Sequence, residues 1–144
     1  MKPIKFKIEK INVLRSEVRD HPVVLNENFS FDNNIELQIS TKFNYDDNLA
    51  LNFIHFQFDA IATDLNKITL AHFDFTYTYF VKDLQANIND DEYKRLLNIS
   101  LLSVTYSTSR GIIFSKTMGF AINELYIAPV NPNKLYESLL NEKS

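Results

Sequence analysis

Between Ile68 and Val81 the chain alternates without interruption. Ala71, Phe73, Phe75, Tyr77, Tyr79 and Val81 fall on one side, and His72, Asp74, Thr76 and Thr78 on the other. Successive strand residues point to opposite faces, so this is a long strand with one apolar, mostly aromatic face. Water does not solvate such a row well, and a second layer has to cover it. Whatever else the chain forms, it must build a sheet face and something to lie on it.

Three further stretches supply the sheet. Ile35, Leu37, Ile39, Thr41 and Phe43 oppose Glu36, Gln38, Ser40, Lys42 and Asn44, the pattern of a half-buried antiparallel strand. Asp46-Asp47-Asn48 is a turn. A third strand runs from Leu49 to Thr63, with Ile54, Phe56, Phe58, Ala60 and Ala62 on one face. Asp64-Leu65-Asn66-Lys67 then makes a hairpin into Ile68–Val81. Near the N-terminus Ile4, Phe6 and Ile8 share a face, Ile11 and Val13 take the opposite phase, and Leu14 and Val18 return. A strand that switches phase needs a bulge or bend. A polar loop, Arg19–Asn34, follows it. The four strands are expected to lie side by side in chain order.

From Asn89 the period changes. Asn89-Asp90-Asp91-Glu92 reads as a helix start, with acids favoured in the first turn. Tyr93, Leu96 and Leu97 give that helix a short stripe. Ser100 or Ser103 is expected to cap a second, longer helix ending near Gly119, a suitable residue just past a helix end. Asn131-Pro132 opens a last helix, Asn as N-cap and Pro in the first turn, with Leu135, Tyr136, Leu139 and Leu140 as its apolar face. The expectation is an α+β fold: a four-stranded antiparallel sheet followed by C-terminal helices packed on one face, in one domain spanning 1–144.

The composition excludes several functions. With 144 residues, 45% apolar, one core can be filled. The net charge of -3 gives no basic surface for nucleic acid. There is no cysteine, hence no disulfide, thiol nucleophile or thiolate metal site. The N-terminus, Met-Lys-Pro-Ile-Lys-Phe-Lys-Ile, lacks the apolar run of a signal peptide, and no segment has the length of a membrane span, so a cytoplasmic protein is expected. No serine sits in a nucleophile elbow, and two glycines do not make a phosphate-cradling loop. An enzyme is not expected, nor any cofactor.

The order of elements, and the residues after the long strand, resemble the SecB-type export chaperones. Members of that family carry a Tyr-Ala-Arg-Glu segment, a Gly at the end of that helix, and a Leu-x-Pro-Val-Asn-Phe-x-x-Leu run. Here Arg110 stands at the family's spacing from Ala128-Pro129-Val130-Asn131, and Gly119 falls within a residue of the family's Gly. The likeness spans about 106–139. Ser109 and Gly111 stand where Ala and Glu flank the family's arginine, and Pro132 replaces an aromatic. The sheet face that the family presents to the SecA motor is acidic; here it is mixed, with Glu36, Lys42 and Asp74.

The resemblance implies an ATP-independent holdase that binds unfolded or pre-export polypeptides in a hydrophobic groove. It implies a homo-oligomer, a tetramer built as a dimer of dimers, with a SecA-type motor or an antitoxin as further partner. The alternative is an adaptor of the same fold dedicated to one partner, such as a toxin–antitoxin component. The client-binding residues expected are Phe120, Ile122, Leu125 and Tyr126, from the segment after the long helix, and Tyr79 from the aromatic row, whose Phe73 and Phe75 are expected in the core. Ser103, Ser107 and Gly111, four apart, would let a second helix approach closely. His55, Asp59, His72 and Asp74 form the one metal-like group in the sequence. With Asp59 near His72 across a hairpin, they read as a cross-strand polar cluster with no metal.

Overall fold

A computed structural model describes residues 3–22, 24–25, 29–30, 34–61, 67–124, 127 and 131–141. Four strands, β1 (Phe6–Val18), β2 (Ile35–Asp46), β3 (Leu49–Ile61) and β4 (Lys67–Val81), precede three α-helices: α1 (Leu84–Asn87), α2 (Asp91–Lys116) and α3 (Pro132–Asn141). A 3-10 turn, Ala121–Glu124, lies between α2 and α3. The fold is α+β, an open antiparallel sheet with helices on one face.

The strand order is β1-β4-β3-β2. This corrects the expectation of chain order. β2, β3 and β4 do follow one another as hairpin neighbours, but β1 pairs with β4 from Phe6↔Val81 to Val18↔Ala71. The arrangement is a Greek key read from the C-terminal end. Its cause is the long connection 19–34, which frees β1 from the tight turn that would place it beside β2. The turn at Asp47 is of that tight kind, with φ 53, a left-handed conformation that Asp tolerates better than most residues.

The phase switches of β1 appear as two register shifts against β4, between Ile8 and Lys10 and between Val13 and Arg15. Ile8, Ile11 and Val13 sit opposite Tyr79, Tyr77 and Phe75, so they share the helix-bearing face. The helices pack mainly over β2, β3 and β4, and these three side chains remain exposed.

The buried face is the one the alternation predicts. Ile54, Phe56, Phe58 and Ala60 of β3 and Phe73, Phe75, Tyr77, Tyr79 and Val81 of β4 are at most 1% exposed. His55, His72, Asp74 and Thr76 take the other face and are only partly covered. The hairpin residues 62–66 lie outside the described residues, but the pairing Ile61↔Lys67 closes the ladder beside them.

α2 is one uninterrupted helix of 26 residues, about 39 Å long at 1.5 Å per residue. It replaces the two helices expected. Its start is as read: Asp90 caps it, accepting from Glu92 N and Tyr93 N. Gly111 and the β-branched Val104, Thr105, Thr108, Ile112 and Ile113 each disfavour a helix by at most about 1 kcal/mol. Against that, Leu97, Leu101, Leu102, Thr105, Ser109 and Ile113 are all buried against the sheet, and one buried leucine alone contributes roughly 1.5–3 kcal/mol. Gly119, with φ +89, follows the helix end, where a glycine adopts the left-handed conformation without strain.

Two buried polar pairs lock helix to sheet. Tyr77 Oη lies 2.6 Å from Ser109 Oγ, and Tyr79 Oη 2.6 Å from Thr105 Oγ1. Residues two apart on the strand meet residues four apart on the helix. α3 begins as expected, with Asn131 Oδ1 accepting from Asn133 N (2.9 Å) and Lys134 N (3.3 Å). It packs Tyr136 on Phe43 with ring centroids 6.3 Å apart.

Candidate functional site: an apolar groove at the end of α2

The chain turns away from α2 at Thr117, and four hydrogen bonds made by three side chains decide where it goes next. Asn123 Nδ2 donates to the Phe114 carbonyl (3.0 Å) and to Thr117 Oγ1 (2.9 Å). Arg110 Nε donates to the Ile127 carbonyl at 2.8 Å. Asp20, just after β1, accepts from Ala121 N at 2.8 Å. The segment is therefore fastened back alongside the last two turns of α2.

Between segment and helix lies a groove of about 480 Å³. Phe58, Ile113 and Ile122 line it, and Ile122 is 4% exposed. Arg110 and Asn123 contribute polar atoms, and Ser107 and Gly111 also line it. A Cβ added at Gly111 would meet nothing within 4 Å, so the missing side chain leaves open space. Three large apolar side chains are exposed at this end of α2: Phe114, which lines the groove, at 60%, and Met118 and Phe120, just past the helix, at 64% and 36%. Large apolar side chains that exposed, and that close together, cost solvation and mark an interaction surface.

The expected residues distribute unevenly. Phe120 is exposed beside the groove, and Ile122 lines it from a buried position. Leu125 and Tyr126 lie outside the described residues. Tyr79 lies in the core instead, 0% exposed, beneath α2 and against Phe6 at a centroid distance of 5.8 Å. Its alternation places it with Tyr77 on the covered face, and its hydroxyl is occupied by Thr105. Burial pushes its phenol up to about 12, Thr105 opposing the shift. Ser103 is half-buried, while Ser107 and Gly111 are exposed and border the groove. Phe114 and Met118, not singled out from the sequence, are the most exposed apolar groups here. Their signal was present: Gly111, Phe114 and Met118 recur at helical spacing on the side away from the buried leucines.

A second cluster occupies the opposite, open face of the sheet. His55 and Asp74 are register partners on β3 and β4, and His55 Nδ1 lies 2.6 Å from Asp74 Oδ1. His72 Nε2 lies 3.1 Å from His55 Nδ1 and 3.8 Å from Asp74 Oδ2. Asp59 does not join them. The register shift after Phe58 sets it opposite Thr69, whose hydroxyl donates to it at 2.9 Å. Burial, then the neighbouring His55 and Arg15, hold His72 below the usual histidine range.

The sequence matches no protein-family model, and no curated protein is similar to it at a significant level. No helix among the described residues is long and apolar enough to cross a membrane.

Proposed function

We propose that this protein is a SecB-type, ATP-independent holdase that takes up unfolded or pre-export polypeptide segments in the groove at the end of α2. The observation that carries the reading is the groove itself, a half-open apolar concavity flanked by the exposed Phe114, Met118 and Phe120. The resemblance over 106–139 points to the same segment. Each large apolar side chain placed there contributes roughly 1.5–3 kcal/mol, less the ordering of a loose chain. Such contacts discriminate little between sequences, which suits a binder of many clients. The outer edge of β2, which among the described residues pairs with β3 alone, offers backbone groups for strand addition. Chaperone action in this form needs no cofactor. A cytoplasmic location, a homo-oligomeric state and a translocation motor or antitoxin as further partner belong to the same reading.

The test is suppression of aggregation of several unrelated unfolded proteins at stoichiometric ratio. Wild type should protect them all. The double variant Phe114→Asp, Phe120→Asp should protect none, while its circular dichroism and melting temperature stay near wild type, because both side chains are exposed. Protection of one protein only, or of none, defeats the holdase reading in favour of an adaptor with a single partner. Unfolding of the double variant would show the patch to be core.

A further inference from the structure

We propose that His55, His72 and Asp74 form a binding site for a first-row divalent metal ion, with zinc the best-fitting one, on the open face of the sheet. The proposal stands apart from the groove, which lies on the helix-bearing side.

The three donors come from two adjacent strands and converge: all three ligand atoms lie within 4.8 Å of one another. Four donors holding an ion at about 2.0–2.2 Å in tetrahedral geometry stand roughly 3.3–3.6 Å apart. The observed separations, 3.1 Å between the two imidazole nitrogens, 2.6 Å from His55 Nδ1 to Asp74 Oδ1 and 3.8 Å from His72 Nε2 to Asp74 Oδ2, bracket that spacing, so small rotamer adjustments that commit one carboxylate oxygen admit an ion. The imidazoles meet edge to face, with centroids 4.4 Å apart and planes at 79°. The side chains are 15–21% exposed, covered enough to hold their orientation and open enough to leave a coordination position for water. A hollow of about 300 Å³, lined by His72, Arg15, Glu17 and Thr69, opens beside them.

The protonation pattern favours a ligand. A carboxylate only accepts, so His55 Nδ1 must carry the proton it shares with Asp74. With that proton taken by Asp74, the donor facing His72 Nε2 is Arg15 Nη1 at 3.5 Å, so Nε2 is the unprotonated nitrogen and carries a lone pair 3.1 Å from His55 Nδ1. Binding asks of His55 only a tautomer change that moves its proton to Nε2. Two neutral imidazoles and a carboxylate are a borderline donor set of the zinc type. Among the described residues, Arg15 is the cation that opposes it. Its side chain is 44% exposed and bonded to Glu17 at 2.9 Å, so it swings aside at little cost.

Zinc titrated calorimetrically into the full chain should bind at one ion per protomer and raise the melting temperature by several degrees. Cobalt in its place should give the strong visible bands of a four-coordinate site. His72→Asn should abolish both signals with circular dichroism unchanged. Arg15→Ala should tighten binding several-fold by removing the opposing cation. No binding at millimolar zinc overturns the proposal, as does undiminished binding by His72→Asn or lost binding by Arg15→Ala. Should His72→Asn fail to fold, ring resonances of the wild type decide: zinc should shift His55 and His72 together, and shifts confined to His21 overturn the assignment.

Discussion

Replacing Tyr79 with Phe separates a core tyrosine from a client-binding one. The hydroxyl removed is fully buried and lies 2.6 Å from Thr105 Oγ1, which is itself 0% exposed. A buried hydrogen bond contributes about 1 kcal/mol net, and a partner left unsatisfied costs roughly 1–3 kcal/mol. Thr105 has an escape, since a helical threonine can turn its hydroxyl to the carbonyl four residues back. The expected loss is therefore about 1–2 kcal/mol. Thr105→Val should cost a similar amount, because Tyr79 Oη retains only a long contact to the Leu101 carbonyl at 3.4 Å. The double variant leaves neither partner stranded, so its loss should fall short of the sum by about 1 kcal/mol. Urea denaturation followed by circular dichroism measures all three, with the Tyr79→Phe midpoint falling by roughly 3–8 °C in a thermal scan. Strict additivity would refute the pairing. A Tyr79→Phe protein of wild-type stability that loses client binding would return Tyr79 to the surface.

Gly111→Ala should stabilise the protomer by up to about 1 kcal/mol through helix propensity, because an added Cβ there meets nothing within 4 Å. If a second copy packs at Gly111, the same variant should weaken assembly, and light scattering at micromolar concentration reads both that and the expected tetramer; a wild-type monomer ends the assembly reading. Alkaline pH should destabilise the fold. Tyr45 and Tyr79 are both pushed up to about 12 from 10.0, burial being the main cause. Below pH 10 neither state ionises; between 10 and 12 the unfolded chain loses protons that the folded one keeps, so stability falls with rising pH. A pH-independent urea midpoint across that window would contradict their burial.

Much of the fold was legible because strand alternation is a local signal. Phe73 to Val81 needed only their own spacing to declare a covered face, and Asn131-Pro132 needed only cap chemistry. What escaped depends on partners distant in the chain. Nothing in β1 names β4 as its neighbour; only the length of 19–34 hints that it does not turn back on β2. The continuity of α2 is obscured by Ser100 and Ser103, which read as caps, and by β-branched residues such as Thr105, which disfavours a helix until Tyr79 is seen beneath it. The same pairing explains why Tyr79 was misplaced: a hydroxyl on an aromatic row suggests a wet surface, and its partner lies 26 residues away. Asp74 stays in the histidine cluster, but Asp59 leaves it for Thr69 because of a register shift that single-strand periodicity does not reveal. In the groove, Phe120 and Ile122 are legible from their segment, whereas Phe114 lies in the last turn of α2 and Met118 just past it, at positions where the buried stripe of the helix is the stronger signal.

The pairing of β1 with β4 also sets an order of events during synthesis. β1 leaves the ribosome first, yet its partners lie between 53 and 75 residues further along. At roughly 5–20 residues per second, the first strand waits several seconds with both edges unpaired. The hairpins β2–β3 and β3–β4 close in the meantime, and the N-terminal strand docks last, onto a template already formed. Lys5, Lys7, Lys10 and Arg15 along the waiting strand discourage it from pairing with another nascent chain. Closing so long a loop is the slow step such a topology imposes, and a circular permutant that moves β1 to follow β4 should fold faster than the natural chain order.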